Sequence, residues 1–299
     1  MIKIGIVTVL FNSNDVLEGF FRSLQKQTGI DISLYVIDNS ATPEGSELSE
    51  KLGADYGIKT TVIFNNANLG VAKGNNQGIE LALADNVDYV VLSNNDVEFH
   101  SPDMIAGMIA EMVKRGVKAS VPKMLYFGTR IIWCAGGHIA SLKATSPHQG
   151  DLETDRGQYD TVKVTNYAPT CFMILDPSVF KVVGLMDEQY FVYYDDTDFV
   201  WRMNQSGFSV LYVPTYELFH KVSFSTGGND SLFSLYYATR NRLFFARKNL
   251  HGLTRWIAIA YTVAAMSVKS IRFTPGRRKR VFKAMRDGLN TAMVAQPKH

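Results

Sequence analysis

Over the first 115 positions, short apolar runs closed by polar residues alternate with segments of helical period. Residues 2–10 form a nearly unbroken apolar stretch and read as a first buried strand. Val16, Leu17, Phe20, Phe21 and Leu24 then recur at helical spacing, which predicts a helix over 15–27. Further strands are predicted at 32–37, 59–64 and 88–93, and helices at 44–56 and 102–115. The stretch Asn68-Leu-Gly70-Val-Ala-Lys73-Gly74-Asn75-Asn76-Gln-Gly78 predicts a Gly/Asn-rich loop opening a helix that runs to about Ala84. This β-α-β-α order implies a parallel sheet with right-handed crossovers. Past 117 the pattern is mixed. Strand-like runs at 117–122, 131–134, 171–176 and 209–213 surround a polar stretch, 141–163, that has no clear period and predicts a loop. A helix is expected from about Asp196 to Ser206.

The polar ends of these elements carry the candidate chemistry. Tyr89-Val-Val-Leu runs straight into Ser93-Asn94-Asn95-Asp96. Ligands in open α/β sheets collect at the carboxyl ends of strands. Asn94 and Asp96 are two apart, so an extended chain puts them on one face, and Mg²⁺ takes such oxygens together with substrate phosphates. Strands also end in Asn or Asp simply to turn, so this segment alone does not decide. A second cluster is Tyr193-Tyr194-Asp195-Asp196-Thr197-Asp198, followed by Trp201-Arg202. Three carboxylates within four residues repel one another. A helix with a solvated acidic first turn would tolerate them. The chemical reading is a general base beside a second acid, with Asp198 pairing Arg202 at i,i+4 and leaving Asp196 free. His220, followed by a Ser/Thr/Gly segment over 223–228, is either structural or completes a divalent or phosphate site.

Composition sets the scale. The 299 residues are 46% hydrophobic and 20% charged, enough for one large domain with an appendage. The two cysteines, Cys134 and Cys171, lack disulfide-framework or metal spacing and point to a reducing compartment. The leading apolar run lacks a cleavage pattern and is better read as a strand than as a secretory signal. The net charge of +3 hides a split: fourteen Lys/Arg and one acid, Asp287, from Tyr236 onward, against seventeen Lys/Arg and twenty-seven acids before it. A basic tail on an acidic body suggests an anionic surface as partner. Thirteen uncharged residues, Trp256 to Val268, suit an interfacial or core helix, since spanning needs about 20. Arg277–Arg280 then leads into Val281, Phe282, Met285 and Leu289 among Lys283 and Arg286. That basic amphipathic pattern suits an anionic membrane surface, or a helix packed on the body with its basic face in water.

As an ordered set, these pieces resemble the family-2 glycosyltransferases of GT-A fold, especially the rhamnosyltransferase-like group. The resemblance runs over about residues 2–250, and includes a further echo at Tyr236-Tyr237…Arg240-Asn241-Arg242. It implies an α/β fold: a Rossmann-like, mostly parallel nucleotide-binding sheet with helices on both faces. The expected division is a catalytic domain at 1–250 and a basic helical extension at 251–299. By resemblance, Thr8 and Asp38 contact the nucleoside, Asn68 and the Gly70–Asn75 loop pack around the nucleotide, and Lys73 approaches the pyrophosphate. Asn94 and Asn95 belong to the donor site. Asp96 matches the last acid of a DXD-type motif and would hold Mg²⁺ or Mn²⁺. Asn94 stands where the first acid would be, which implies a weaker metal site. His220 would add a metal or phosphate contact. Asp195-Asp196 matches a Glu-Asp catalytic motif, with Asp196 the first choice as base and Asp195 the second. Asp198, Trp201 and Arg202 would serve the acceptor side or the framework. The implied reaction is inverting, by single displacement. The implied donor is dTDP-rhamnose, with UDP-sugars open, and the implied acceptor a polyprenyl-diphosphate-linked glycan at the inner membrane face. That places a cytoplasmic, peripheral enzyme.

Two rival readings fare worse. A nucleotidyltransferase acting on sugar phosphates would carry a Gly-rich basic loop after strand one, but Phe11-Asn-Ser-Asn-Asp15 has neither Gly nor Lys. A nucleic-acid binder using the tail fits poorly with an acidic body and no recognition motif, so no nucleic-acid partner is expected.

Overall fold

The computed structural model describes residues 1–222 and 231–294. The Ser/Gly segment singled out at 223–228 therefore lies outside the described residues. The strands are β1 (Ile2–Leu10), β2 (Ile30–Asp38), β3 (Lys59–Phe64), β4 (Tyr89–Ser93), β5 (Val97–Phe99), β6 (Ala119–Tyr126), β7 (Ile132–Cys134), β8 (Lys163–Thr165), β9 (Phe172–Leu175) and β10 (Val210–His220). The helices are α1 (Asn14–Leu24), α2 (Glu44–Tyr56), α3 (Val71–Ala84), α4 (Met104–Arg115), α5 (Ser178–Val183), α6 (Asp195–Gln205), α7 (Leu232–Asn249), α8 (Gly252–Ser270) and α9 (Pro275–Asn290).

One sheet carries the order β3-β2-β1-β4-β9-β6-β10-β5, with β7 on β6 and β8 on β10. Its first half is parallel, β1 pairing with both β2 and β4. Beyond β4 it is mixed: β9 runs antiparallel to β4 and β6, while β6 and β10 are parallel. The chain winds outward from β1 to β3, then returns to the other side of β1 as β4. The strand order therefore reverses between β1 and β4, which opens a crevice past Leu10 and Ser93.

The interior follows from the apolar runs. Ile4, Ile6, Val7, Leu34, Val36, Val91 and Leu92 are fully buried, as parallel strands covered on both faces require. Phe20, Phe99 and Phe172 join α1, β5 and β9 through ring contacts of 6.1 and 5.6 Å. The Gly/Asn-rich stretch is shorter as a loop than its composition predicts. Gly70, at φ +86°, ends it, and Val71 through Gly78 are already the first turns of α3. The glycines serve contact rather than looping. A Cβ on Gly78 would lie 2.3 Å from Val7 Cγ1, and one on Gly74 2.8 Å from Val9 Cγ2. Their bare backbone lets α3 press against β1 directly under the crevice.

Other differences have local causes. Pro214 cuts the apolar pattern at 213, yet β10 continues to His220 because a register shift between Val213 and Glu217 absorbs it. β5 and β8 are three residues each, too short for a period. The polar stretch 141–163 is held without regular structure by isolated bridges such as Gly137–His148 and Ala140–Thr145. Buried Lys123 on β6 also holds it, pairing with Asp155 at 3.1 Å and with Asp160. In the tail, Val281 and Met285 of α9 are buried against Leu235 and Leu243 of α7. A Cβ on Gly288 would lie 2.5 Å from the Arg240 carbonyl oxygen, so these helices cross closely.

Gly78→Ala should destabilise the fold by about 1–3 kcal/mol through overpacking of α3 on β1. Urea unfolding would register it as a lower midpoint at unchanged slope; an unchanged midpoint would mean that α3 is free to lift.

Candidate active site

A cavity of about 480 Å³ opens at the crevice between β1 and β4. Its floor is made by the strand ends: Val9 near the end of β1 with Phe11 and Ser13 after it, and Asn94, Asn95 and Asp96 after β4. Asn68, Gly70 and Asn75 form one wall, and Asp195 and Asp196 face in from the start of α6. Thus Asn68, Gly70, Asn75, Asn94, Asn95, Asp96, Asp195, Asp196 and His220 share one cavity although up to 152 positions separate them in sequence. Thr8, Asp38, Lys73, Asp198, Trp201 and Arg202 do not line it.

Sheet register brings Asp96 to His220. β5 pairs antiparallel with β10, Val97 opposite His220. Asp96, one residue earlier, then receives the Lys221 amide on its carbonyl at 2.8 Å. His220 Nε2 lies 3.2 Å from Asp96 Oδ1. The pair lacks hydrogen-bond geometry, so Asp96 Oδ1 is buried without a hydrogen-bond partner in the described protein, and so, separately, is the other ring nitrogen, His220 Nδ1. Asn95 is occupied: its amide donates to the Val9 carbonyl at 3.2 Å, and its oxygen accepts from Ser13 Oγ at 3.3 Å. Asn94 stays exposed at the cavity. Among the described residues, no group of three His, Cys, Asp or Glu converges as a metal site.

The donor-side polar residues form a chain of their own. Asn68 Oδ1 accepts from the Gly70 amide at 3.0 Å, which shapes the turn. Asn39 donates to the Gly70 carbonyl at 3.0 Å and accepts from Asn65 at 2.8 Å. Asp38, fully buried, is bound by the Ser40 amide at 2.9 Å and Ser46 Oγ at 2.7 Å, and so ties β2 to α2 behind the cavity. The buried Thr8 hydroxyl has no hydrogen-bond partner in the described protein. Lys73 is half exposed, 4.0 Å from Glu188.

The acids of α6 divide into two environments. Asp198 is fully buried and bonded on both oxygens: Oδ2 by Arg202 Nε at 2.7 Å, and Oδ1 by Lys248 at 2.8 Å, Asn249 at 2.8 Å and Tyr190 at 3.0 Å. Burial alone would raise its pKa, but the Arg202 and Lys248 charges hold it below the usual carboxylate range. The i,i+4 pair with Arg202 thus forms as the spacing predicts. Trp201 packs on Phe245 at 5.8 Å. Asp196 is not free of partners: Tyr167 OH donates to Oδ2 at 2.6 Å, and the Thr197 amide to Oδ1 at 2.6 Å. The Thr197 hydroxyl also donates to Oδ1, at 3.2 Å, so it is Oδ2 that keeps a lone pair for the cavity. Burial, and then the neighbouring Asp196 charge, pushes the Asp195 pKa well above the carboxylate range.

Residues that the sequence left unmarked complete the far wall: Trp133, Ser146, His148 and Tyr167. His148 Nδ1 is 3.1 Å from the Trp133 carbonyl. A carbonyl only accepts, so Nδ1 carries the hydrogen and Nε2 is left as an acceptor. Burial pushes this imidazole down, toward the neutral form. The Trp133 ring sits edge-on between His148, at 4.6 Å, and His220, at 4.3 Å. Ser146 and His148 lie in the aperiodic stretch, and Trp133 and Tyr167 flank it, so no pattern flags them. Cys134 and Cys171 are both buried free thiols. Burial pushes Cys134 up to about 12, which leaves no reactive thiolate.

Asp195 also sets a pH dependence. Its folded pKa is raised, so the folded protein keeps a proton that the unfolded chain loses, and stability falls as pH climbs past the ordinary carboxylate range. Asp195→Asn should therefore raise the melting temperature by about 2–4 °C near about pH 8, and by less near about pH 5. A gain that is the same at both pH values, read by calorimetry, would remove this account.

The profile of the family described as Glycosyl transferase family 2 matches residues 5–181. A Mycobacterium tuberculosis protein described as N-acetylglucosaminyl-diphospho-decaprenol L-rhamnosyltransferase is 24% identical over 243 residues, 74% of this chain and 77% of that protein. The Haloferax volcanii low-salt glycan biosynthesis hexosyltransferase Agl10 is 23% identical over 248 residues, 80% of this chain and 74% of that one. Among solved structures, S. aureus TarS superposes with a TM-score of 0.61 at 13% identity, over 96% of this chain and 48% of TarS, so this chain spans about half of that protein. The mannosyltransferase PcManGT from Pyrobaculum calidifontis, in complex with GDP-Man and Mn²⁺, gives 0.59 at 11% identity, over 96% of this chain and 81% of that one. The fold is that of the GT-A glycosyltransferases, and this chain belongs to glycosyltransferase family 2.

Proposed function

We propose that this enzyme transfers rhamnose from a dTDP- or UDP-linked donor to a hydroxyl of a lipid-linked glycan, with inversion, at the cytoplasmic face of a membrane. The observation that carries the proposal is one cavity at the strand-order reversal with Asp96 and His220 at its floor and the Asp195–Asp196 pair in its wall. The M. tuberculosis relative's description supports the sugar and the polyprenyl-diphosphate acceptor. A TarS structure in complex with UDP-GlcNAc supports a uridine alternative.

In this reading the nucleoside lies along Phe11, Asn39 and Asn68, with Asp38 and Thr8 shaping the strand ends from behind. The diphosphate comes to Asn94 and Asp96, facing Gly70 and Asn75 at the start of α3 across the cavity, while Lys73 lies outside its lining. Asp96 Oδ1 and His220 Nε2 fit a shared divalent cation: both are hard or borderline donors, and the carboxylate oxygen is buried with nothing to bond it. Mn²⁺ in PcManGT supports Mg²⁺ or Mn²⁺ as that ion. With Asp96 and His220 as the protein donors, affinity for the ion would depend on the donor's diphosphate. When bound, the cation neutralises charge on the departing diphosphate.

Asp196 is the base. Burial and the neighbouring Asp196 charge raise the Asp195 pKa, which favours the protonated form of Asp195 and makes it the poorer base. Tyr167 holds Oδ2 of the Asp196 carboxylate, and the Thr197 amide and hydroxyl hold Oδ1, so the remaining lone pair is on Oδ2. It takes the acceptor hydroxyl proton as the oxygen attacks the anomeric carbon opposite the leaving group. His148 Nε2, a neutral acceptor in the same wall, holds a second acceptor hydroxyl. Asp198, Trp201 and Arg202 belong to the framework.

Two variants separate the roles. Asp96→Ala should abolish the thermal shift that a nucleoside diphosphate gives only with Mn²⁺ or Mg²⁺. Retention of that shift would remove Asp96 from the donor site. Asp196→Asn should keep the shift while transfer, followed by product mass, falls by about 10²–10⁴-fold. Transfer near the wild-type rate would show that Asp196 is not the base.

A further inference from the structure

The tail has two apolar faces: that of α9 is mostly used inside the protein, with Phe282 and Leu289 left exposed, and that of α8 is open along its length. Val281 and Met285 of α9 are buried against α7. On α8, Ala258 and Thr262 turn inward. Its opposite face is uncovered: Leu253 is 74% exposed, Trp256 66%, Ile257 40%, Tyr261 43% and Val268 66%, with Ile271 just beyond at 71%. Positions 253, 256, 257, 261 and 268 form a single stripe along a 19-residue helix. No described helix is long and apolar enough to cross a membrane. Between residues 251 and 294 there are nine Lys/Arg and one acid. Trp and Tyr on an apolar stripe, set in such positive charge, are the chemistry of a helix lying in the headgroup layer of an anionic bilayer.

We propose that α8, rather than the amphipathic α9, is the face by which this protein docks on an anionic lipid surface, and that docking sets the cavity at the membrane edge. Charge selects this occupant: an apolar stripe set among basic residues is attracted to anionic headgroups, and those basic residues repel a second copy. The link to the cavity is short. The Tyr261 ring lies 5.4 Å from the Arg242 guanidinium and 5.8 Å from Lys143 Nζ. Arg242 donates to the Lys143 carbonyl at 2.6 Å. The next carbonyl, Ala144, accepts from Tyr194 OH at 2.8 Å, and Ser146 already lines the cavity. A lipid-linked acceptor held by the bilayer beside α8 thus meets the wall that carries His148 and Tyr167. This part rests on the proposed membrane-borne acceptor.

The test is co-sedimentation of the full chain with phosphatidylcholine vesicles, with and without phosphatidylglycerol. Wild type should pellet with the anionic vesicles only, and less at high salt. Leu253→Ser/Trp256→Ser/Ile257→Ser changes exposed positions and should keep the wild-type melting temperature while binding at least about tenfold more weakly. Arg272→Glu, on the exposed helix end, should weaken binding independently. Turnover on a water-soluble acceptor should be unchanged in the triple variant, and turnover on a vesicle-borne acceptor should fall. Equal sedimentation of wild type and triple variant would overturn the proposal. So would wild type that ignores vesicles and elutes as a dimer that the triple variant dissolves, for then a second copy covers the stripe. Stripe-dependent vesicle binding without any nucleotide-dependent thermal shift would uphold docking and reject the donor reading alone.

Discussion

The site depends on one buried carboxylate. Asp198 takes no part in the cavity, yet it is the point where α6, α7 and the turn at Tyr190 are joined. Removing a carboxylate from water is costly, and only nearby charge and full hydrogen bonding offset it. Arg202 and Lys248 supply the charge, and Asn249 and Tyr190 complete the bonding. Lys248 also reaches buried Asp187 at 2.6 Å, and Arg202 donates to the Val183 and Leu185 carbonyls at 2.8 and 2.9 Å. The result is a rigid start to α6. Asp195 and Asp196 are the first residues of that helix, so their direction is set by a charge network two and three residues further on.

That rigidity also sustains backbone strain. Phe191, Tyr193 and Tyr194 all have positive φ, between +60° and +67°, which costs energy for aromatic residues. Three carbonyls, of Tyr190, Val192 and Tyr193, converge on the Asn241 amide within 2.7–2.9 Å. The Val71 amide bonds the Phe191 carbonyl at 2.6 Å, and Gly70 leaves room for it, since a Cβ there would meet that oxygen at 2.6 Å. One strained segment therefore connects the donor-side turn to the carboxylate pair. Gly70 and Asn241, far apart in sequence, are parts of the same clamp.

How much of this was legible follows from range. β1 through α4 could be placed from local pattern because parallel strands buried on both faces are continuous apolar runs. Asn94, Asp96 and the Asp195–Asp198 cluster stood out because several short polar or acidic residues in a row have few structural uses. His148 and Tyr167 did not. Each depends on a partner that no local pattern reports, the Trp133 carbonyl and Asp196, and each lies within or beside a stretch held by isolated bridges and the Lys123–Asp155 pair rather than by a period. The Gly/Asn-rich stretch misled for the opposite reason. Its composition suggests a loop, but Gly74 and Gly78 are there for close packing of a helix. In α9 the amphipathic pattern was real, and Val281 and Met285 of its apolar side are already occupied by α7, while Phe282 and Leu289 stay exposed.

The unsatisfied atoms sort in the same way. A framework that bonds both oxygens of Asp198 and both ends of the Asn95 amide could as readily have bonded Asp96 Oδ1 and His220 Nδ1, which it leaves bare. Buried polar groups without partners are costly wherever they occur. Asp96 Oδ1 lies 3.2 Å from His220 Nε2 at the strand-order reversal, and it is the atom whose cost a bound ligand would remove. Asp195 carries a comparable cost in its displaced proton equilibrium. Stability is thus given up at the two sides of one cavity and recovered at Asp198, Asn241 and the α3–β1 contact. That distribution is expected where a rigid scaffold serves chemistry rather than its own stability.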